Sequence, residues 1–275
     1  MALLLFDLDG VVYRGPEPVP GMPQLLVRRQ ALGDRIVYVT NNSRWHRSEY
    51  RARLEGMGAP ITGDGIVSSA RATALALVEG PETPRITMVL GGPGLIRELH
   101  DVGLRTVTPT AQGLATGPDA LVVGIDFRIN YSRLSIAADA VRRGVRFVVT
   151  NRDPVYPNPG GLQAGAGSIV AAVVTAGQRE PDLVIGKPEP GLFREAAAIV
   201  GVPASDAIVV GDGLLTDIVA AHRVGARSIL MLTGVSTQAQ LDATPENARP
   251  TAVAHDAAEL EAVLDRLVAE GTRAT

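Results

Sequence analysis

Leu3-Leu4-Leu5-Phe6-Asp7-Leu8-Asp9-Gly10 is an uninterrupted apolar run that stops on two acids one residue apart and then turns at a glycine. The run is too continuous to alternate in and out, so it reads as a strand buried on both faces, which is the habit of parallel sheets covered by helices. The same pattern recurs at Ile36–Val39, Thr87–Leu90, Ala120–Val123, Phe147–Val149, Leu183–Ile185, Ala207–Val210 and Ser228–Leu232. Between these runs, Gly21–Leu32, Ser48–Met57, Ser68–Val78, Tyr131–Arg143, Ser168–Ala176, Leu192–Val200 and Thr216–Val224 have amphipathic spacing of helical length. Alternating strands and helices predict an α/β fold with a parallel sheet. A closing helix is expected over Ala257–Ala269, fraying beyond Gly271.

Ligands of open α/β sheets sit at the carboxyl ends of the strands. Four of these ends carry chemistry: Asp7 and Asp9; Thr40-Asn41-Asn42-Ser43; Gly186-Lys187-Pro188; and Gly211-Asp212 followed by Thr216-Asp217. The strand ends between Thr87 and Val149 are less charged, which suggests an inserted unit. Glu79–Pro84 and Ala176–Pro181 are polar, Pro- and Gly-bearing stretches suited to be its linkers. The expected organisation is a discontinuous domain of residues 1–79 and 182–275, with residues 80–181 inserted as a second domain of about 100 residues.

Asp7 and Asp9 point the same way from an extended strand end. Carboxylates that close repel unless a cation joins them or one takes a proton. All-oxygen donors suit magnesium, which keeps waters and also grips phosphate, and Asp212 can complete such a site. An aspartate can also act as a nucleophile that carries a phosphoryl group, while a second carboxyl gives and takes the proton. Thr40 and the Asn41 N–H are donors and Lys187 a point charge for the oxygens of a transferring phosphoryl group. Asp217 is placed to hold a metal-bound water or to orient Lys187. Each feature has a plainer reading: a helix cap for Thr40–Ser43, a solvated side chain for Lys187, complementarity to a helix N-terminus for Asp217.

Composition narrows the classes. The 275 residues are 46% hydrophobic and 20% charged, with a formal net charge of −3 and no cysteine. Nucleic acid is not expected as a partner, since no basic excess exists to neutralise its backbone. Thiolate chemistry, disulfides and Cys-ligated zinc are excluded. No stretch approaches the roughly 20 apolar residues of a membrane span, no basic-then-apolar leader precedes Asp7, and the expectation is a cytoplasmic protein. Gly91-Gly92-Pro93-Gly94 lacks the spacing and lysine of a phosphate-binding P-loop and reads as a turn opening a helix. His46, His100, His222 and His255 are not paired at ligand spacing and are expected to be structural or exposed.

Taken in order, Phe-Asp7-Leu-Asp9-Gly, Val-Thr40-Asn-Asn-Ser, Gly-Lys187-Pro and Gly-Asp212-Gly-Leu-Leu-Thr-Asp217 resemble the haloacid dehalogenase-like (HAD) hydrolase superfamily across nearly the whole chain. The Thr-Asn-Asn-Ser form and the long insertion before Lys187 are similar to its subclass IIA phosphatases with a type-two cap. That branch acts on nucleotides, 4-nitrophenyl phosphate, glycerol phosphate, phosphoglycolate or pyridoxal phosphate. The resemblance implies a Rossmann-like core and a smaller α/β cap. It implies Asp7 as nucleophile and Asp9 as general acid and base. Magnesium would be held by Asp7, the Asp9 backbone carbonyl and Asp212, with Asp217 nearby; Thr40, Asn41 and Lys187 would bind phosphate. The cap is expected to supply substrate contacts from Thr150–Tyr156, with Asn151 and Arg152 as main candidates and Asp153 and Tyr156 beside them. A homodimer through the cap is common in that branch. A receiver domain is disfavoured because its paired acids would be adjacent in sequence and on a different strand from the acceptor. A phosphotransferase or mutase on the same scaffold, and a non-catalytic binder of phosphate ligands, are the other readings.

Overall fold

The computed structural model describes residues 1–158 and 161–273. The chain divides into two compact units, Met1–Thr40 with Tyr50–Val67 and Lys187–Thr275, and Asn41–Glu49 with Ser68–Gly186.

The first unit is built on a six-stranded sheet in the order Ala252–Ala254, Arg227–Met231, Ile208–Gly211, Leu3–Phe6, Arg35–Thr40, Ile66–Ser68. Leu3–Phe6 is central and pairs in parallel with strands on both sides, Leu4 opposite Ile208 and Ile36. All four of its residues are buried, as a strand covered on both faces requires. The five strands from Ala252–Ala254 to Arg35–Thr40 run parallel, so their carboxyl ends open on the same edge of the sheet. A short hairpin, Tyr13–Arg14 with Glu17–Pro18, comes after Asp9 and before the first helix starts at Met22. The closing helix runs Ala257–Arg273, two residues past the expected fraying point; residues 274 and 275 lie outside the described residues.

The second unit has its own five-stranded parallel sheet, ordered Leu183–Val184, Arg146–Val149, Ala120–Val123, Thr87–Leu90, Thr106–Val107. An antiparallel hairpin of Val155–Asn158 and Gly161–Ala164 stands beside it. Met88, Leu121, Val123, Phe147 and Val149 form its core with Ala137, Val141, Ile169 and Val173 from the helices Tyr131–Arg142 and Ala166–Gly177. The Gly91–Gly94 turn opens the helix Pro93–Asp101, as the sequence suggests.

The division of the chain differs from the expected one. Residues 41–49 and 68–79 group with the second unit instead of the first. Asn151 Nδ2 donates to the Asn41 carbonyl at 2.7 Å, Ser69 donates to the same oxygen, and Arg47 N donates to Glu98 at 2.7 Å. Leu183–Val184 likewise pairs with Val148 and Val149 of the second sheet, so the run before Lys187 is that sheet's edge and no strand of the first.

The first unit also buries a cation. Arg29 is fully enclosed and its Nε donates to Asp34 Oδ2 at 2.7 Å, its Nη1 to Asp265 Oδ1 at 2.5 Å, while Asp34 Oδ1 accepts from Ala2 N at 2.8 Å. Removing one member of a buried pair strands the other charge in an apolar setting. Asp34→Ala is expected to lower the unfolding free energy by about 3 kcal/mol in urea denaturation followed by circular dichroism. A loss within the range of an exposed pair, under about 1 kcal/mol, would mean that water already solvates Arg29.

Candidate active site

In the first unit, Lys187 Nζ lies 2.6 Å from Asp7 Oδ1 and 2.6 Å from Asp217 Oδ1, and all three residues are buried. Its Nζ also reaches the Val39 carbonyl at 3.4 Å, on the strand that ends at Thr40. An ammonium has three donors, and here they tie together three strand ends. Carboxylate oxygens of Asp7, Asp212 and Asp217 lie within 4.8 Å of one another. Three acids against one lysine leave a formal excess of negative charge in a buried place, which only bound protons or a cation can offset. The donor set is all oxygen, compact and anionic, the chemistry a hard divalent cation fits.

Local structure explains how each acid arrives. Asp7 N donates to the Val210 carbonyl at 2.8 Å, extending the sheet pairing one residue past Phe6. The chain then turns, with Val12 N bonding Leu8 O at 2.9 Å, and Asp9 sits partly exposed on that turn. Its carboxylate is not among the three clustered acids. Past the Ile208–Gly211 strand the helix begins with a π-helical turn, Leu214–Ile218, ahead of Val219–Val224. The first N–H groups of a helix have no partner within it. Here Gly213 N donates to Asp217 Oδ2 at 3.0 Å, which leaves Oδ1 for Lys187. Asp217 is thus held between the Gly213 N–H and the Lys187 ammonium.

Burial raises the Asp7 pKa far above its ordinary value; Lys187 pulls it down, and Asp217 and Asp212 push it up. Asp212 is pushed up to about 7, first by burial and then by Asp217, against the Val235 N–H and Lys187. Burial disfavours the Lys187 charge, yet Asp217 and Asp7 outweigh it and hold its pKa above the usual value.

The second unit gathers other expected residues. Asn151 is buried; its Nδ2 donates to Asn41 O at 2.7 Å and its Oδ1 accepts from Asp153 N at 3.0 Å. Asn41 Nδ2 in turn donates to both Asp153 oxygens at 3.1 and 3.0 Å. Asn41, Asn151 and Asp153 are therefore one hydrogen-bonded cluster. Arg152 stands apart from it, paired with Glu180 at 2.6 Å on the surface.

Two features escape the sequence reading. His46 is not isolated: its Nε2 is 3.0 Å from Asp101 Oδ2 and 3.6 Å from Glu98 Oε1, a donor set that spacing hides because the acids are more than fifty residues away. The Arg47 guanidinium also holds both acids, with Nη1 on Glu98 and Nη2 2.6 Å from Asp101. The other is Thr233–Ser236, which lies just past the Arg227–Met231 strand and touches Asp212 and Gly10. Inspecting the carboxyl end of every strand finds it, provided that uncharged residues are counted.

The family relationship agrees with this geometry. A haloacid dehalogenase-like hydrolase family model matches residues 4–105, and a second HAD-hydrolase-like model matches residues 184–260. The chain belongs to the haloacid dehalogenase-like hydrolase family. It is 37% identical to human chronophin, over 85% of this chain and 81% of that one. The solved p-nitrophenyl phosphatase from Archaeoglobus fulgidus superposes with a TM-score of 0.86 at 32% identity, covering 95% of this chain and 98% of that chain. The glycerol phosphate phosphatase from Mycobacterium tuberculosis in complex with magnesium gives a TM-score of 0.84 at 38% identity, over 94% of this chain and 76% of that chain. No helix among the described residues is long and apolar enough to cross a membrane.

The raised carboxyls set a pH signature. Asp7 and Asp212 hold protons more tightly folded than unfolded, so their contribution to stability is complete below the ordinary carboxylate range and is lost as pH rises through the folded pKa, about 7 for Asp212. Acids with lowered pKa, such as Asp101 and Asp119, act below that window. The melting temperature in a chelator is expected to fall between about pH 5 and pH 8. A profile that is flat or rising there would contradict the burial of these charges.

Proposed function

We propose that this chain is a magnesium-dependent phosphomonoester hydrolase of small-molecule phosphates, working through an aspartyl-phosphate on Asp7. The observation that carries the reading is Lys187, held at 2.6 Å from both Asp7 and Asp217 with Asp212 in the same acid cluster, in a chain of a hydrolase family.

Asp7, Asp212 and the Asp9 carbonyl are the groups that would hold magnesium, and Asp217 stands beside them through Lys187. When bound, the ion neutralises charge on the acids and on phosphate oxygens. The Asp7 carboxylate attacks phosphorus and the bond to the leaving oxygen breaks. Asp9 protonates that oxygen, then takes a proton from water as the water attacks the phosphoryl group and frees Asp7. Partial exposure of Asp9 suits this exchange with water, while the burial of Asp7 suits a nucleophile whose charge is offset by fixed partners. Thr40, the Asn41 N–H and Lys187 are read as the phosphate donors.

We read the first unit as the catalytic core and the second as the cap. Asn151 and Arg152 are its candidate contacts to the leaving group. Arg152 reaches substrate only by leaving Glu180, an exposed pair worth little, and Asn151 acts through Asn41. Neither a nucleic acid nor a membrane belongs to this reading, which places the enzyme in the cytoplasm and pairs it through the cap.

The test is phosphate release from nucleoside monophosphates, glycerol phosphates, phosphoglycolate, pyridoxal phosphate, sugar phosphates and 4-nitrophenyl phosphate, with and without magnesium. Release is expected only with magnesium and to fall at least about a thousandfold in Asp7→Asn. Lys187→Ala is expected to lower kcat by about a hundredfold or more, as removal of a fixed charge from a transition state does. No release from any ester, or release undiminished in Asp7→Asn, would overturn the nucleophile.

A further inference from the structure

The segment Thr233-Gly234-Val235-Ser236 carries no acid, yet it makes more contacts with the acid cluster than its composition suggests. Val235 N donates to Asp212 Oδ2 at 2.7 Å, and Ser236 N donates to the Asp212 carbonyl at 3.2 Å. Ser236 Oγ accepts from Leu214 N at 3.0 Å, which fixes the same segment to the start of the helix that carries Asp217. Thr233 Oγ1 donates to the Gly10 carbonyl at 2.6 Å, on the turn that carries Asp9.

Space is as specific as the hydrogen bonds. A Cβ built on Gly234 would lie 1.7 Å from Asp212 Oδ2 and 2.5 Å from Asp212 Cβ, so the carboxylate rests directly on the Gly234 backbone. Gly10 meets the same oxygen from the other side: its Cβ would lie 2.2 Å from Asp212 Oδ2 and 2.9 Å from Gly234 Cα. Gly10 also has φ +85°, where any side chain is strained. Two glycines and one N–H thus leave the Asp212 carboxylate a single place to stand.

We infer that Thr233–Ser236 is a positioning clamp for cation binding: it sets the Asp212 carboxylate and the Asp9–Gly10 turn in register, so that two of the segments expected to hold magnesium arrive together. This rests on the magnesium reading above and assigns to uncharged residues the control of magnesium affinity. The plainer alternative is that the segment only ends its strand. The two differ in what a substitution moves. A strand-end role lowers stability with and without metal alike. A clamp lowers metal affinity, and loss of a group that orients a ligand weakens metal binding by about 10- to 100-fold.

The experiment titrates magnesium against the melting temperature of the substrate-free chain after chelator treatment, for the native protein, Gly234→Ala, Thr233→Val and the control Gly56→Ala, whose Cβ would meet nothing within 4 Å. The midpoint of the magnesium-dependent rise is expected to move up at least about tenfold in Gly234→Ala and Thr233→Val and to stay put in the control. Native midpoints in both variants would overturn the clamp. Should Gly234→Ala fail to fold in chelator, Thr233→Val decides alone, because it keeps the side chain's shape and removes only its hydroxyl. A native chain that shows no magnesium-dependent rise would overturn the metal reading itself, and the clamp with it.

Discussion

One lysine among three buried carboxylates is the constraint on which the rest of the first unit depends. Asp7, Asp212 and Asp217 are taken out of water and brought within 4.8 Å of one another, and Lys187 bridges two of them at 2.6 Å. Charges of one sign in a low-dielectric place repel strongly. They persist there because everything around them is fixed. The Leu3–Phe6 and Ile208–Gly211 strands beneath are wholly buried and leave no slack. The Gly213 N–H occupies the second oxygen of Asp217. Asp7 and Asp212, far apart in sequence, meet because neighbouring parallel strands deliver their carboxyl ends to one edge of the sheet.

That geometry explains what the sequence discloses and what it hides. A strand buried on both faces writes itself as an unbroken apolar run, so Leu3–Phe6, Thr87–Leu90 and Ala120–Val123 stand in the structure with the limits their sequence suggests. The acids that come directly after such runs, Asp7 and Asp212, are equally legible, and both are buried. Short strands are not. Thr106–Val107 and Ala252–Ala254 are only partly buried and carry no run long enough to show. The hairpin Tyr13–Arg14 with Glu17–Pro18 depends on a turn and two residues a side.

Partnership is hidden more deeply than existence. The run at Leu183–Val184 announces a buried strand but not a sheet, and it pairs with Arg146–Val149 in the second unit. Gly186 continues that attachment, its N–H bonding the Thr150 carbonyl at 2.8 Å, while the next residue, Lys187, sends its ammonium to Asp7 and Asp217. Thr40 and Asn41 divide in the same way: Thr40 ends a strand of the first sheet, and Asn41 is held by Asn151 and Asp153. Each of these motifs is a continuous stretch of sequence whose halves answer to different cores. Reading outward from the acids finds the motif, but only pairing shows where the units part.

The same burial that makes the acids expensive to ionise is what makes them useful. An exposed aspartate would stay hydrated and screened by water and would gain little from a lysine or a cation. Here desolvation is the largest effect on Asp7 and Asp212 and raises both, a cost that a positive partner offsets. Lys187 supplies one partner permanently, because the attraction of two acids exceeds its own penalty for burial. The remaining excess is open to a proton or to a divalent ion, and these two compete for the same oxygens. Shape then decides between them. A proton settles on any exposed lone pair, whereas a metal ion needs several oxygens at fixed directions. Rigid seating of Asp212 between Gly10 and Gly234 restricts direction without adding charge. Uncharged residues at the end of the Arg227–Met231 strand are therefore where the sheet can favour the ion over the proton while leaving the acids themselves unchanged.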